Sequence, residues 1–189
     1  MNIKGLILAG GEGSRAGGRD KGLLKWRGIP LASHIAEAMG ATCQDILISC
    51  NRHLDEYSAI TPHCFQDIDT SIKGPLAGLF TAWHYFPDSW FLISACDTPM
   101  LTMEYSRRMC SSLPKGNAQV AWDGERRQYL HCLLRPESYP VLKEYLENGG
   151  KNVRGWLELL EPELVDFSDC PQLFTNINTL QQLDELDQA

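Results

Sequence analysis

A short apolar strand, Lys4-Gly5-Leu6-Ile7-Leu8, runs straight into Ala9-Gly10-Gly11-Glu12-Gly13-Ser14-Arg15-Ala16-Gly17-Gly18-Arg19-Asp20-Lys21-Gly22. Glycines leave backbone N–H groups open to close approach, and Arg15, Arg19 and Lys21 add positive charge where a buried strand ends. That combination describes a loop for a phosphate chain at the ligand edge of a sheet. It constrains the fold before any other residue is considered.

Strand-like runs recur at 3–8, 45–50, 63–66 and 90–95, each bounded by Gly, Pro, Asn or Asp. Helical spacing fills the gaps at 30–39, with Leu31, Ile35 and Met39 on one face, and at 75–85, where Pro75 suits a first helical position. Alternation of this kind implies right-handed crossovers and a mostly parallel central sheet with helices on both faces, an α/β single domain over 1–189. Beyond Thr102 the pattern is mixed: helices near 103–111, 137–147, 153–160 and 179–187, and strands near 119–122, 129–134 and 164–167.

The loop matches neither of two common phosphate binders. Gly11-Glu12-Gly13-Ser14-Arg15-Ala16 satisfies G-x-G-x-x-A, but the second strand ends Ser49-Cys50-Asn51, without the ribose-binding carboxylate of a dinucleotide site. A Walker loop needs Gly-Lys-Ser/Thr, and the glycine run here closes Gly18-Arg19-Asp20. What remains is long enough to wrap a triphosphate, although the same residues would also suit a solvated surface turn.

In an α/β sheet the ligand crevice lies at the carboxyl ends of the strands. Asp67 and Asp69 follow the third strand, and Asp97 follows the fourth in Ala95-Cys96-Asp97-Thr98-Pro99. Mg²⁺ on a nucleotide takes one or two carboxylates together with phosphate oxygens and waters. Asp97 is therefore the expected metal ligand, while Asp69 suits an Asx turn equally well. Gly74-Pro75-Leu76-Ala77-Gly78 reads as a helix start that lets a ligand lie against backbone, or as tight helix-to-sheet packing. In Asn176-Ile177-Asn178-Thr179, Asn178 or Thr179 suits a helix N-cap, and Asn176 and Asn178 at i and i+2 of an extended segment face the same way.

With 17 Lys and Arg against 24 Asp and Glu, the net charge of -7 argues against a nucleic-acid partner, which would demand surplus cations. Seven cysteines form no C-x-x-C pair and read as reduced thiols in a cytoplasmic protein. No apolar run approaches the ~20 residues that span a bilayer, and the apolar start is too short for a signal peptide.

Taken together, Leu8-Ala9-Gly10-Gly11 with Arg15, Gly17-Gly18, Asp20-Lys21-Gly22, Gly74-Pro75-Leu76-Ala77-Gly78, Cys96-Asp97-Thr98-Pro99 and Asn176-Ile177-Asn178-Thr179 resemble molybdenum cofactor guanylyltransferase across nearly the whole chain. The resemblance implies a Rossmann-like nucleotidyltransferase fold with a nucleotide-binding half over 1–100 and a pterin-binding half over 101–189. It implies Mg²⁺-dependent transfer of GMP from GTP to molybdenum-molybdopterin, with pyrophosphate released. Arg15, Lys21 and Asp97 would then be catalytic, with Asp97 on the metal. Leu8, Ala9, Gly10, Gly11, Lys21, Asn51, Asp67, Gly78 and Asp97 would bind GTP, and Asn176 and Asn178 the acceptor. The base-side role stays open between Ser49 and Asn51.

The family often carries methionine where Ala16 stands, and a proline-containing stretch where Gln128-Tyr129-Leu130-His131 stands. A phosphate nucleophile is already ionised, so none of the five histidines is required as a general base. The expected state is a monomer that hands its product to molybdoenzymes or their chaperones. A CTP- or sugar-phosphate-dependent transferase and a non-catalytic nucleotide-binding delivery module remain as alternatives.

Overall fold

A computed structural model describes residues 2–10 and 20–187. The loop residues Gly11 and Arg15, named above, lie outside them. Nine strands and seven α-helices follow in the order β1 (Ile3–Leu8), β2 (Lys25–Trp26), β3 (Ile29–Pro30), α1 (Leu31–Gly40), β4 (Ile46–Ser49), α2 (Leu54–Ser58), β5 (His63–Phe65), α3 (Pro75–Tyr85), β6 (Trp90–Ala95), α4 (Met103–Ser111), β7 (Ala118–Trp122), β8 (Arg127–Leu134), α5 (Ser138–Glu147), α6 (Val153–Leu159), β9 (Glu163–Asp166) and α7 (Leu180–Asp187). Short 3₁₀ turns at Lys21–Leu23 and Pro171–Phe174 also lie among the described residues.

Seven strands form one sheet in the order β5-β4-β1-β6-β8-β7-β9. Only β8 runs against the others, pairing antiparallel with β6 and β7, so the sheet is mostly parallel. β1 is buried along its whole length, which is why it reads as a continuous apolar run instead of an alternating one. Its odd residues Ile3 and Ile7 pack with α1 and α4 residues such as Ile35 and Met109. Leu6 and Leu8 face the opposite side, among Leu79, Trp83, Leu142 and Trp156 of α3, α5 and α6. Lys4 escapes burial as a bare charge by pairing with Asp45 and lying 4.8 Å over the Phe86 ring.

The expected elements stand within a residue or two of their predicted bounds, the short strands β4, β5 and β9 included, and a few of the shortest are additions. The hairpin β2–β3, the five-residue α2 and both 3₁₀ turns carry too few residues for periodicity to register. α7 begins at Leu180 because Thr179 is its N-cap: Thr179 Oγ1 accepts from the Gln182 N–H at 3.2 Å. The Gln182 side chain accepts in turn from the N–H groups of Asn178 and Thr179 at 2.7 and 3.2 Å, a capping box that leaves the Asn178 side chain uncommitted to the helix.

Candidate active site

Parallel register assembles the site. Leu8 pairs with Ser49 on one side and Ala95 on the other, and Ser49 pairs with Phe65. Two residues further along each chain come Gly10, Asn51, Asp97 and Asp67. The ladder persists past the strand ends through Ala9 N–H to Ser49 O at 2.9 Å, Cys50 N–H to Phe65 O at 3.0 Å and Cys96 N–H to Leu8 O at 3.2 Å. Residues far apart in sequence thus converge on one edge.

They line a cavity of about 260 Å³ whose walls include Leu8, Ala9, Gly10, Lys21, Ser49, Asp67, Gly78, Asp97 and Asn176. Gly78 of α3 is required there by close approach, since a Cβ would fall 2.5 Å from Ser49 Oγ and 2.9 Å from the Leu8 side chain. Helix-to-sheet packing and cavity lining are therefore the same fact about Gly78. Asn51 is exposed and does not line the cavity. Its amide nitrogen donates to Asp67 Oδ2 at 2.6 Å and its amide oxygen accepts from the Asp67 N–H at 3.0 Å. Ser49, buried on the wall, donates to Asp67 Oδ1 at 3.3 Å.

On the opposite side Lys21 Nζ lies 3.2 Å from Asp97 Oδ2 and 2.6 Å from Asn178 Oδ1. The Ile177 N–H donates to Asp97 O at 2.7 Å, which pins the extended Asn176–Asn178 segment beside the β6 turn. Asp97 Oδ1 is buried and has no hydrogen-bond partner among the described residues. Among the described residues no cluster of three or more His, Cys, Asp or Glu side chains could enclose a metal ion. Mg²⁺ carried in on a triphosphate does not need one, because phosphate oxygens and waters complete its shell. One unpartnered carboxylate oxygen fits that demand.

Asp69 stays away from this edge. It accepts from the Ser71 N–H at 2.9 Å and the Ser71 hydroxyl at 2.6 Å, an Asx turn that holds its carboxyl below the ordinary aspartate range. A second and wider cavity, about 980 Å³, adjoins the first and shares Ala95, Leu130 and Asn176 with it. Asn176 and Asn178 both face it, together with Arg126, Gln128, Tyr129 and Phe174. Arg127 and the Tyr129 hydroxyl are anchored on Glu158 of α6.

No nucleophile or general base stands ready among these groups. Burial, and next the Asp97 charge, raise the Cys96 thiol far above its ordinary value, and burial pushes Cys50 up to about 12. His131 is held neutral by burial, lowered to about 3, with Nε2 3.0 Å from Thr98 Oγ1. That bond braces the turn after Asp97 from β8. Sequence reasoning missed His131 in this role, and it named Asp20 in the lysine motif without its Tyr57 partner, because a buried histidine or tyrosine carries no mark of its partner in the sequence.

Residues 5–164 match the model of the MobA-like NTP transferase domain. A molybdenum cofactor guanylyltransferase from Shewanella sediminis is 36% identical over 100% of this chain and 97% of its own length. One from Vibrio cholerae is 33% identical over 94% and 88%. Among solved structures, molybdopterin-guanine dinucleotide biosynthesis protein A from Archaeoglobus fulgidus superposes with a TM-score of 0.74 at 18% identity, over 98% of this chain and 97% of that one. The strand-end carboxylates, the lysine turn and the late asparagines thus sit in a fold that nucleotidyltransferases share, and the chain belongs to the MobA-like NTP transferase family.

Proposed function

We propose that this nucleotidyltransferase moves GMP from GTP to molybdenum-molybdopterin, releasing pyrophosphate and yielding the molybdopterin guanine dinucleotide. The observation that carries the reading is the Lys21 ammonium on the wall of the narrow cavity, bonded both to Asp97 of that cavity and to Asn178 of the wide cavity that adjoins it beside β8. Full-length likeness to named guanylyltransferases supports the choice of base and acceptor.

In this reading the nucleotide lies along Leu8–Gly10 and Gly78, with Asp67 as the acceptor for its base or ribose. Asn51 and Ser49 act on that end through Asp67, which they hold from both sides. Lys21 places its ammonium where the triphosphate and the terminal phosphate of the pterin meet, and Arg15 adds a second cation. Mg²⁺ held by Asp97 would supply the remaining charge neutralisation on the triphosphate. Asn176 and Asn178 orient the acceptor from the wider cavity. Catalysis is then positioning and electrostatic stabilisation, with the acceptor phosphate as nucleophile and no covalent enzyme intermediate. Among the described residues no helix is long and apolar enough to cross a membrane.

Purified chain with GTP, Mg²⁺ and molybdenum-loaded molybdopterin should release one pyrophosphate per dinucleotide formed. Equal turnover with CTP would overturn the guanine assignment. Nucleotide binding without pyrophosphate release, acceptor present, would overturn catalysis itself.

A further inference from the structure

Lys21 can reach Asp97 and Asn178 only if the turn that carries it is fixed at its root. Asp20, the N-cap of the 3₁₀ turn Lys21–Leu23, directs a single oxygen, Oδ1, at two donors. It accepts from the Gly22 N–H at 3.2 Å and from the Tyr57 hydroxyl at 2.5 Å. A Cβ on Gly22 would fall 2.3 Å from that phenol oxygen, so the turn lies directly on the tyrosine. Tyr57 is wholly buried in the core cluster beneath α1. Desolvation pushes its ionisation far above the ordinary phenol value, so it remains a donor at any working pH.

The ring alone would satisfy the core, and phenylalanine would fill the same space. The hydroxyl is therefore surplus to packing and serves Asp20. α2, which carries Tyr57, starts three residues after Asn51, so one short segment supplies both the amide that grips Asp67 and the hydroxyl that grips Asp20.

We propose that Tyr57 and Asp20 form a positioning latch that sets Lys21 for nucleotidyl transfer, and that by seating both latch and Asn51 the α2 segment keeps the base end and the phosphate end of the site at a fixed separation. This rests on the reading of Lys21 given above. Neither residue touches substrate; both act through the lysine turn.

Tyr57→Phe in the full chain should lower kcat for GTP-dependent pyrophosphate release about 10-fold, because small misplacements of a charge-bearing group are costly to rate. Its melting temperature should stay within about 3 °C of the parent. Calorimetric titration with GTP and Mg²⁺ should show Tyr57→Phe weakening GTP in the parent background and adding nothing in a Lys21→Ala background, since both changes remove one coupled device. Asp20→Asn, whose side-chain oxygen can still accept both bonds, should recover most of what Asp20→Ala loses.

Parental kcat and KM in Tyr57→Phe, with Lys21→Ala crippled, would overturn the latch and leave the transferase reading intact. An equal loss of GTP affinity from Tyr57→Phe in both backgrounds would overturn it too, as the hydroxyl would then act on the site independently of Lys21. Parental turnover by Lys21→Ala would overturn the latch together with the lysine's part in the reaction.

Discussion

Asp67 and Asp97 occupy equivalent places, each two residues past a parallel strand in matched register, yet their neighbours have left them in opposite states. Asp67 is held from both sides within the protein and keeps one acceptor site on each oxygen: Ser49 donates to one oxygen, Asn51 to the other, and its own N–H donates to the same asparagine. Asp97 shares one oxygen with Lys21 and keeps the other buried and unpartnered among the described residues. An orphaned carboxylate oxygen costs on the order of 1–3 kcal/mol or more, a cost that a protein retains where something else is to complete the bond. Register fixes where a carboxylate stands, and its neighbours decide whether it recognises a ligand passively or waits for a cation.

The largest effect should come from the waiting one. Asp97→Asn removes the charge proposed above to hold Mg²⁺, and kcat for pyrophosphate release should fall about 10³-fold, the scale of losing a central electrostatic stabiliser. Thermal stability should fall by no more than about 1 kcal/mol, since the ion pair with Lys21 is part-exposed and an amide oxygen can still accept from the ammonium. Steady-state kinetics beside a melting curve reads both. A folded variant with parental kcat would erase the contrast between the two aspartates.

Gly78→Ala tests the packing beneath the base end. Its methyl would meet Ser49 Oγ at 2.5 Å and force either α3 outward or the serine off Asp67. Overpacking of this kind costs about 1–3 kcal/mol, read by thermal denaturation, with weaker GTP binding expected in parallel. Asn51→Ala should act more gently. It frees Asp67 Oδ2 and should raise KM for GTP about 10-fold while kcat moves by no more than about 2-fold, as expected when ground-state and transition-state binding are lost together. A fall in kcat with KM unchanged would put Asn51 on the catalytic side and break the comparison from the other direction.

The same contrast marks how far the sequence could be read. Glycines, charges and strand ends announce themselves by type and spacing, so Gly10, Lys21, Asp67, Asp97 and the α/β alternation were all legible before any coordinates. Asn51 was legible only as a candidate beside Ser49 for the base end, and its grip on Asp67 depends on the pairing of β4 with β5, which no local pattern reveals. Tyr57 and His131 were invisible because core tyrosines and histidines look alike in sequence whether or not a functional residue leans on them. α2 and the β2–β3 hairpin are shorter than the window that periodicity needs. Asn176 and Asn178 were legible as a pair, whereas the division of labour with Thr179 became visible only through the Gln182 contacts.

Thr179→Ala isolates that division and should be the smallest of these effects. Loss of the N-cap hydroxyl removes the acceptor for the Gln182 N–H and costs α7 about 1 kcal/mol, a drop of roughly 2–4 °C in melting temperature for a chain of this size. Gln182 then holds the Asn178 backbone less firmly, and the 2.6 Å bond from Lys21 to Asn178 Oδ1 loosens with it. Because that bond belongs to the Asp97 side, kcat should fall about 2-fold while KM for GTP stays at the parental value. Asn178→Ala should then lower kcat further than Thr179→Ala, since it removes the contact outright. If Thr179→Ala instead raised KM with kcat preserved, the terminal helix would belong to nucleotide binding, and the separation of a base end from a phosphate end would no longer describe the site.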